Sequence, residues 1–153
     1  MIAKVALSRF LAPLRPQDER TSVDDWLDDD WFRVMIRGRL RPIVPLFGAK
    51  RALALHDLHH VLTGYGTDLQ GELGLAAWEL ASGGCAGSLA FWVDRVFAVL
   101  LGCVLFPRQV LRALRTGRGC RNLFGVERDR ALAIDLTRLA RWTRTSGRLA
   151  TNR

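Results

Sequence analysis

The chain has 153 residues, of which 49% are apolar and 25% charged, so a largely disordered chain is excluded and one domain with its own core is expected. Its net charge is +8, and 21 of its 23 basic residues are arginines. This charge suits anionic membranes, phosphorylated ligands or nucleic acid as partners, and a solvated basic surface without a partner is the alternative. Helix-forming Leu, Ala and Arg dominate, which predicts a single all-α domain over residues 1–153, a compact bundle of about six or seven helices.

The first third of the chain is predicted to form two helices and one extended connector. A short helix over residues 1–11 ends near Pro13 and Pro16. Ser22 caps a second helix that runs to about Arg37, because apolar residues recur there at helical spacing. These residues are Trp26, Leu27, Trp31, Val34 and Met35. Gly38 ends this helix, and Pro42 and Pro45 keep the following residues extended. No alternating apolar run or Asn-Gly turn predicts a sheet.

The rest of the chain is predicted to be helical. A helix from about residue 49 to 62 leads into the turn 63–66, and Thr67 with Gln70 forms a capping box that opens a helix to about Ala81. Gly83 and Gly84 end that helix. Further helices are predicted over 88–105, 107–116 and 129–144, and residues 143–153 are predicted to be a loose basic tail. Residues 107–153 contain twelve arginines and three acidic residues, so the positive charge is concentrated at this end.

The most apolar stretch of the chain is 85–106. Asp94 and Arg95 lie near its middle, and each would cost about 2.5–3.5 kcal/mol at the centre of a bilayer. The stretch is therefore predicted to be a buried core helix and not a membrane span. Three cysteines without a Cys-x-x-Cys pair indicate reduced thiols, and the first fourteen residues lack the apolar run of a signal peptide, so a cytosolic-type compartment is expected.

The three histidines of the chain lie within five residues. His56 and His60 are four residues apart and share one helix face, where two imidazoles can hold one metal ion. Asp57 can bind the metal, orient a histidine or hold a proton, and the short turn after this helix can bring Glu72 back to the same face. His59 points away from this ridge and is interpreted as a satisfied or solvated histidine. The sequence thus predicts a site for one divalent metal.

The same residues carry a resemblance to a known family. The stretch 56–60 followed by eleven residues and Glu72 has the pattern His-Asp-x-x-His-(eleven)-Glu, which resembles the Coq-four family of ubiquinone (coenzyme Q) biosynthesis proteins. The surrounding residues 56–68 and 71–74 are similar to that family, and a weaker resemblance extends over about residues 20–140, including Phe106-Pro107 and 117–126.

This resemblance implies an all-α protein peripheral to the membrane, with His56, Asp57, His60 and Glu72 as metal residues and zinc as the usual metal. It also implies a role in oxidative decarboxylation, in which the C1 carboxylate of a polyprenylated hydroxybenzoate-type ring is replaced by hydroxyl, and a role as organiser of the biosynthetic complex. Expected partners are a prenylated quinone precursor or isoprenoid lipid, other ubiquinone-biosynthesis proteins and a second copy of the chain. The bacterial-type composition places it at the cytoplasmic face of the inner membrane.

The chemistry of these residues leaves the identity of the metal and the roles of the carboxylates open. Two histidines and a carboxylate describe open zinc sites and non-haem iron sites alike. Asp57 or Glu72, whichever is not a full ligand, is the candidate catalytic residue that moves a proton.

Apolar residues of 85–106 can line a groove for an isoprenoid tail or form ordinary core: Leu89, Phe91, Trp92, Val96, Phe97, Leu100 and Leu101. The basic face with Arg108, Arg112 and Arg115 can bind anionic lipid. A non-catalytic lipid-binding scaffold is the main alternative function, whereas no zinc-finger, helix-turn-helix or RNA-binding motif supports nucleic acid as a partner.

Overall fold

The computed structural model describes residues 1–14, 31–36, 39–45, 50–85 and 89–144. Seven α-helices occur in these residues, which confirms the all-α class and the expected number of helices. They are α1 (Ala3–Leu11), α2 (Lys50–Thr63), α3 (Leu69–Ala81), α4 (Leu89–Leu105), α5 (Pro107–Gly117), α6 (Arg128–Ala133) and α7 (Leu136–Arg144). A short 3-10 turn follows α1 at Ala12–Leu14. The single domain over 1–153 stays a prediction.

The described residues also contain one two-stranded hairpin, which the sequence did not predict. Strand β1 (Trp31–Ile36) pairs antiparallel with β2 (Arg39–Pro45), so that Ile36 lies opposite Arg39. The predicted helix from Ser22 is therefore wrong over 31–36, and residues 22–30 lie outside the described ranges. Aromatic and β-branched residues favour a strand there, and a two-stranded sheet tolerates proline because both of its strands are edges. The predicted extended connector is confirmed as β2.

The predicted helix over 129–144 is two helices. Ile134 has extended backbone angles (φ −77°, ψ 149°), and its carbonyl accepts a hydrogen bond from the Ala3 N–H at 2.9 Å. The Asp135 carboxylate then accepts from the Thr137 N–H at 2.9 Å at the start of α7. The contact with the first residues of the chain therefore interrupts the helix. Thr143 is buried within α7, so the predicted loose tail is wrong for residues 143–144, and residues 145–153 lie outside the described part.

The core consists of two groups of buried apolar side chains. The larger group joins α1, α2, α6 and α7 with Phe91 of α4 and the loop that contains Leu123 and Phe124. The smaller group joins α3 and α5 through Leu75, Trp78 and Val110. A Cβ atom on Gly102 would lie 2.7 Å from the Val110 side chain, so this glycine allows α4 to approach its neighbours closely. Helix α3 thus contributes to the second group and also contacts α2. The candidate site lies between α2 and α3.

Helix α4 is not the buried core helix that the sequence predicted. Its apolar side chains are largely exposed, including Leu89 at 81%, Phe97 at 66% and Val104 at 78%, whereas Arg95 is only 2% exposed. The helix turns its one basic residue inward because that residue meets a buried carboxylate on α3. The exposed apolar residues form what we call the α4 face: Leu89, Trp92, Val93, Val96, Phe97, Leu100, Leu101, Val104 and Leu105. Among the described helices, none is both long and apolar enough to cross a bilayer.

Candidate metal centre

Helices α2 and α3 run antiparallel and carry the candidate site between them. The turn that joins them contains Gly64 in a left-handed conformation (φ +78°), which a residue with a side chain rarely adopts. Asp68 caps α3, because its side chain accepts a hydrogen bond from the Gly71 N–H at 3.0 Å. The predicted box of Thr67 and Gln70 is thus corrected by one residue: the charged Asp68 is well suited to the N-cap position. The cap holds Glu72 in the first turn of α3, opposite the end of α2.

Three of the four predicted ligands converge. The Nε2 atoms of His56 and His60 are 3.3 Å apart. One Glu72 carboxylate oxygen lies 3.3 Å from His56 Nε2, and the other lies 3.2 Å from His60 Nε2. All three residues are buried, with Glu72 the most exposed at 7%. Among the described residues, these three side chains form a group whose donor atoms are close enough together to hold a metal ion.

The second nitrogen of each ring shows which atom is free to bind. His56 Nδ1 lies 2.8 Å from a Glu79 oxygen, and a carboxylate only accepts, so this nitrogen donates a hydrogen. His60 Nδ1 donates in the same way to the Tyr65 carbonyl at 3.0 Å. When the rings are neutral, both Nε2 atoms therefore carry lone pairs that face each other and Glu72. Metal-bound histidines commonly show this arrangement, with the outer N–H donated to a carboxylate or carbonyl.

The electrostatics of the site favour a cation. Glu72 and Glu79 carry two buried negative charges, and Arg95 supplies one buried positive charge. Burial raises the pKa of Glu72, but His60 and His56 outweigh it and lower the pKa to about 2. Burial and the nearby Arg95 lower the pKa of His56, yet the Glu79 and Glu72 carboxylates together outweigh them and the pKa rises to about 10. With neutral imidazoles the cluster is short of one positive charge, which either a proton or a metal ion can provide.

Two of the residues singled out in the sequence stand apart from this group. Asp57, predicted as a fourth metal residue, is half-buried on α2 and is not among the three that bring donor atoms together. His59 is fully buried and uses both nitrogens: Nδ1 donates to Glu79 at 2.7 Å and Nε2 accepts from the Leu123 N–H at 2.8 Å. Burial lowers the pKa of His59, and Glu79 only partly offsets this, so the ring is neutral. The interpretation of His59 as a satisfied histidine fits this geometry.

The sequence analysis missed Glu79 and Arg95. Glu79 is fully buried, seven residues after Glu72 and on the same side of α3. Its second oxygen lies 3.3 Å from the Arg95 guanidinium, which also contacts Asp94 at 2.6 Å. The signal was present, since Glu79 is the lone charge in an otherwise apolar helix segment and Arg95 lies in the most apolar stretch of the chain. Isolated charges in such segments need a partner when they are buried.

Comparison of the chain with models of protein families, with curated proteins and with solved structures finds no match.

Proposed function

We propose that this chain is a metal-dependent ubiquinone-biosynthesis protein in which His56, His60 and Glu72 hold one divalent metal. The observation that carries the proposal is the convergence of two imidazole lone pairs and one carboxylate within 3.2–3.3 Å, with both outer ring nitrogens engaged. Three of the four residues of the Coq-four-like pattern, His56, His60 and Glu72, are the ones that the antiparallel helices bring together. Asp57, the fourth residue of the pattern, is half-buried and outside the donor group.

Zinc fits the spacing of the donors best. A tetrahedral zinc ion with bonds of about 2.0–2.1 Å separates its ligand atoms by about 3.3–3.4 Å. An octahedral ion with bonds of the same length separates neighbouring ligands by only about 2.9 Å. The 3.3 Å separation between the Nε2 atoms of His56 and His60 matches the tetrahedral spacing, which supports zinc as the proposed metal with iron as the alternative. Three protein donors leave a coordination position for a ring oxygen.

The proposed reaction is replacement of the C1 carboxylate of a polyprenylated hydroxybenzoate-type ring by hydroxyl. Starting from the carboxylate anion, the conversion takes up dioxygen, two electrons from an external reductant and three protons, and it releases carbon dioxide and water. The metal would supply Lewis-acid polarisation of a bound ring oxygen. In this proposal Asp57, which lies one residue from a ligand and outside the donor group, holds or moves the proton at the ring oxygen. Glu72 acts as a ligand.

The α4 face supports a membrane location and a lipid partner. Its nine large apolar side chains are contiguous at helical spacing, and exposed patches of this kind mark sites of interaction. Helix α5 follows directly and presents Arg108, Arg112 and Arg115 to solvent. An apolar face beside arginines suits an anionic membrane surface. We therefore propose a peripheral protein at the cytoplasmic face of the inner membrane, where it meets prenylated precursors and other biosynthetic proteins.

The α4 face also favours a second candidate, a non-catalytic isoprenoid-binding scaffold with a positional metal. One preparation separates the two candidates. Wild-type protein purified without added metal is analysed for zinc and iron, for co-purified prenyl lipid, and for conversion of a polyprenylated hydroxybenzoate under air with a reductant. We expect about one zinc per chain. Turnover supports the enzyme, whereas bound lipid and metal without turnover support the scaffold.

The site assignment itself is tested by substitution. His60→Ala and Glu72→Ala should each lower bound metal well below one per chain and leave the helical circular dichroism in place. Asp129→Ala is the matched control, because the Asp129 side chain is 75% exposed and lies outside the donor group. One metal ion per chain in both site variants would refute the assignment of His60 and Glu72 as metal ligands.

A further inference from the structure

We infer that Glu79, anchored by Arg95, is a positioning residue that orients His56 for metal binding. The inference rests on the proposed metal centre and concerns a residue outside the donor group. Glu79 lies seven residues after Glu72 along α3, so the two carboxylates meet α2 two turns apart. Glu72 faces the Nε2 side of the His56 ring, and Glu79 faces its Nδ1 side. The ring is held between them.

One oxygen of Glu79 determines the tautomer of two histidines. It lies 2.8 Å from His56 Nδ1 and 2.7 Å from His59 Nδ1, and both nitrogens must donate because a carboxylate carries no hydrogen. His56 is then left with its lone pair on Nε2, toward the metal group. A neutral acceptor at this position would hold the Nδ1–H forms of His56 and His59 less firmly, since hydrogen bonds to an ionised acceptor are about twice as strong.

Arg95 fixes the other oxygen of Glu79. Its Nη1 atom lies 3.3 Å from that oxygen, and Asp94 holds the opposite side of the guanidinium at 2.6 and 2.9 Å. The same Nη1 lies 3.3 Å from His56 Nδ1. A guanidinium can only donate, and the Nδ1 hydrogen is already engaged with Glu79 at the shorter distance, so this contact places positive charge beside the ring.

His59 connects Glu79 to the backbone of the loop before α6. It bridges Glu79 and the Leu123 N–H, so the ring ties α2, α3 and the loop before α6 to one carboxylate oxygen. Both of its nitrogens are occupied, which excludes it as a metal ligand in this arrangement. Glu79 is thus held from two sides, by His59 and by Arg95, while it holds His56.

The test measures zinc affinity by chelator competition in the full chain. Glu79→Gln keeps the size and one acceptor but removes the charge, and we expect zinc to bind roughly 10–100-fold more weakly. Glu79→Asp keeps the charge on a shorter side chain and should recover part of the loss. Asp129→Asn, the matched control on an exposed carboxylate outside the site, should leave the affinity unchanged. Cobalt spectra of the same proteins should change in Glu79→Gln, because the ligand field reports the orientation of the ring.

The outcomes are distinct. Folded Glu79→Gln with wild-type zinc affinity and an unchanged cobalt spectrum would overturn the inference and leave the metal centre standing. Wild type that takes up no zinc would overturn the metal centre and this inference together. If Glu79→Gln does not fold, nitrogen-15 spectra of the histidines in zinc-loaded wild type decide: Nε2 coordination with a hydrogen on Nδ1 of His56 supports the inference, and coordination through Nδ1 refutes it.

Discussion

Gly71→Ala should weaken both the fold and the metal site. Gly71 lies in the first turn of α3, where the turn that follows α2 crosses the helix. A Cβ atom added to Gly71 would overlap the Gly66 carbonyl oxygen and lie 2.6 Å from its carbon. Backbone atoms cannot rotate away as a flexible side chain can, so the turn or the helix start must move. Tyr65, whose carbonyl holds His60, lies in that turn, and Glu72 is the next residue of the helix.

The expected magnitude follows from two opposing effects. Overpacking typically costs about 1–3 kcal/mol. Replacing glycine with alanine in a helix returns up to about 1 kcal/mol. We therefore expect the free energy of unfolding to fall by about 1–2 kcal/mol, and the melting temperature by about 2–8 °C for a chain of this length. A displaced Tyr65 carbonyl no longer orients His60, so zinc should bind about tenfold more weakly or worse.

The assay is urea unfolding followed by circular dichroism, with and without zinc, beside a zinc competition titration. Gly125→Ala is the matched control, because a Cβ atom there would meet nothing within 4 Å. Its stability should stay within about 0.5 kcal/mol of wild type. If Gly71→Ala unfolds at the same urea concentration as Gly125→Ala and binds zinc equally well, the close approach of the turn and α3 is not a constraint and the reasoning fails.

Three further predictions concern the chemistry and the surface. Asp57→Asn should retain metal and lose turnover, because Asn keeps the size of Asp but cannot accept a proton at neutral pH; normal turnover with normal metal would remove Asp57 as a chemical participant, and loss of both would indicate a ligand or orienting role. Binding to anionic vesicles should weaken steeply with salt, since screening shortens the field of the arginines; equal binding to neutral vesicles at high salt would assign it to the α4 face alone. Exposed Cys103 should react with a thiol reagent in the native protein, whereas Cys85, 1% exposed, should react only on unfolding. Burial, with Glu79 and Asp94, raises the pKa of Cys85 to about 12, and equal rates for both thiols would contradict this.

The part of the site that the sequence predicted depends on local rules. Spacing of four residues places His56 and His60 on one helix face wherever α2 lies. The short turn and its glycine return the chain, so the start of α3, with Glu72, meets the end of α2. Both rules act within a few residues. The misplaced cap, Asp68 instead of Thr67, is an error of one residue because two capping residues stand side by side.

The rest depends on partners that are distant in the sequence. Arg95 meets Glu79 across 16 residues and two helices, and Leu123 meets His59 across 64. Neither pairing has a spacing rule. The hairpin was not predicted for another reason. The apolar residues of 31–36 also fit a helical stripe together with Trp26 and Leu27, and a short apolar run does not distinguish a helix from a strand.

Helix α4 links the buried network around His56 to the exposed apolar surface. A helix with an arginine in its apolar middle would ordinarily turn the charge to water and its leucines to the core. Here Glu79 is fully buried, and a buried carboxylate that loses its cation is left with an uncompensated charge, so Arg95 faces inward. The opposite side of α4 then carries the apolar residues outward, where only a lipid or another apolar surface can cover them. The orientation that completes the network around His56 is therefore the orientation that creates the α4 face.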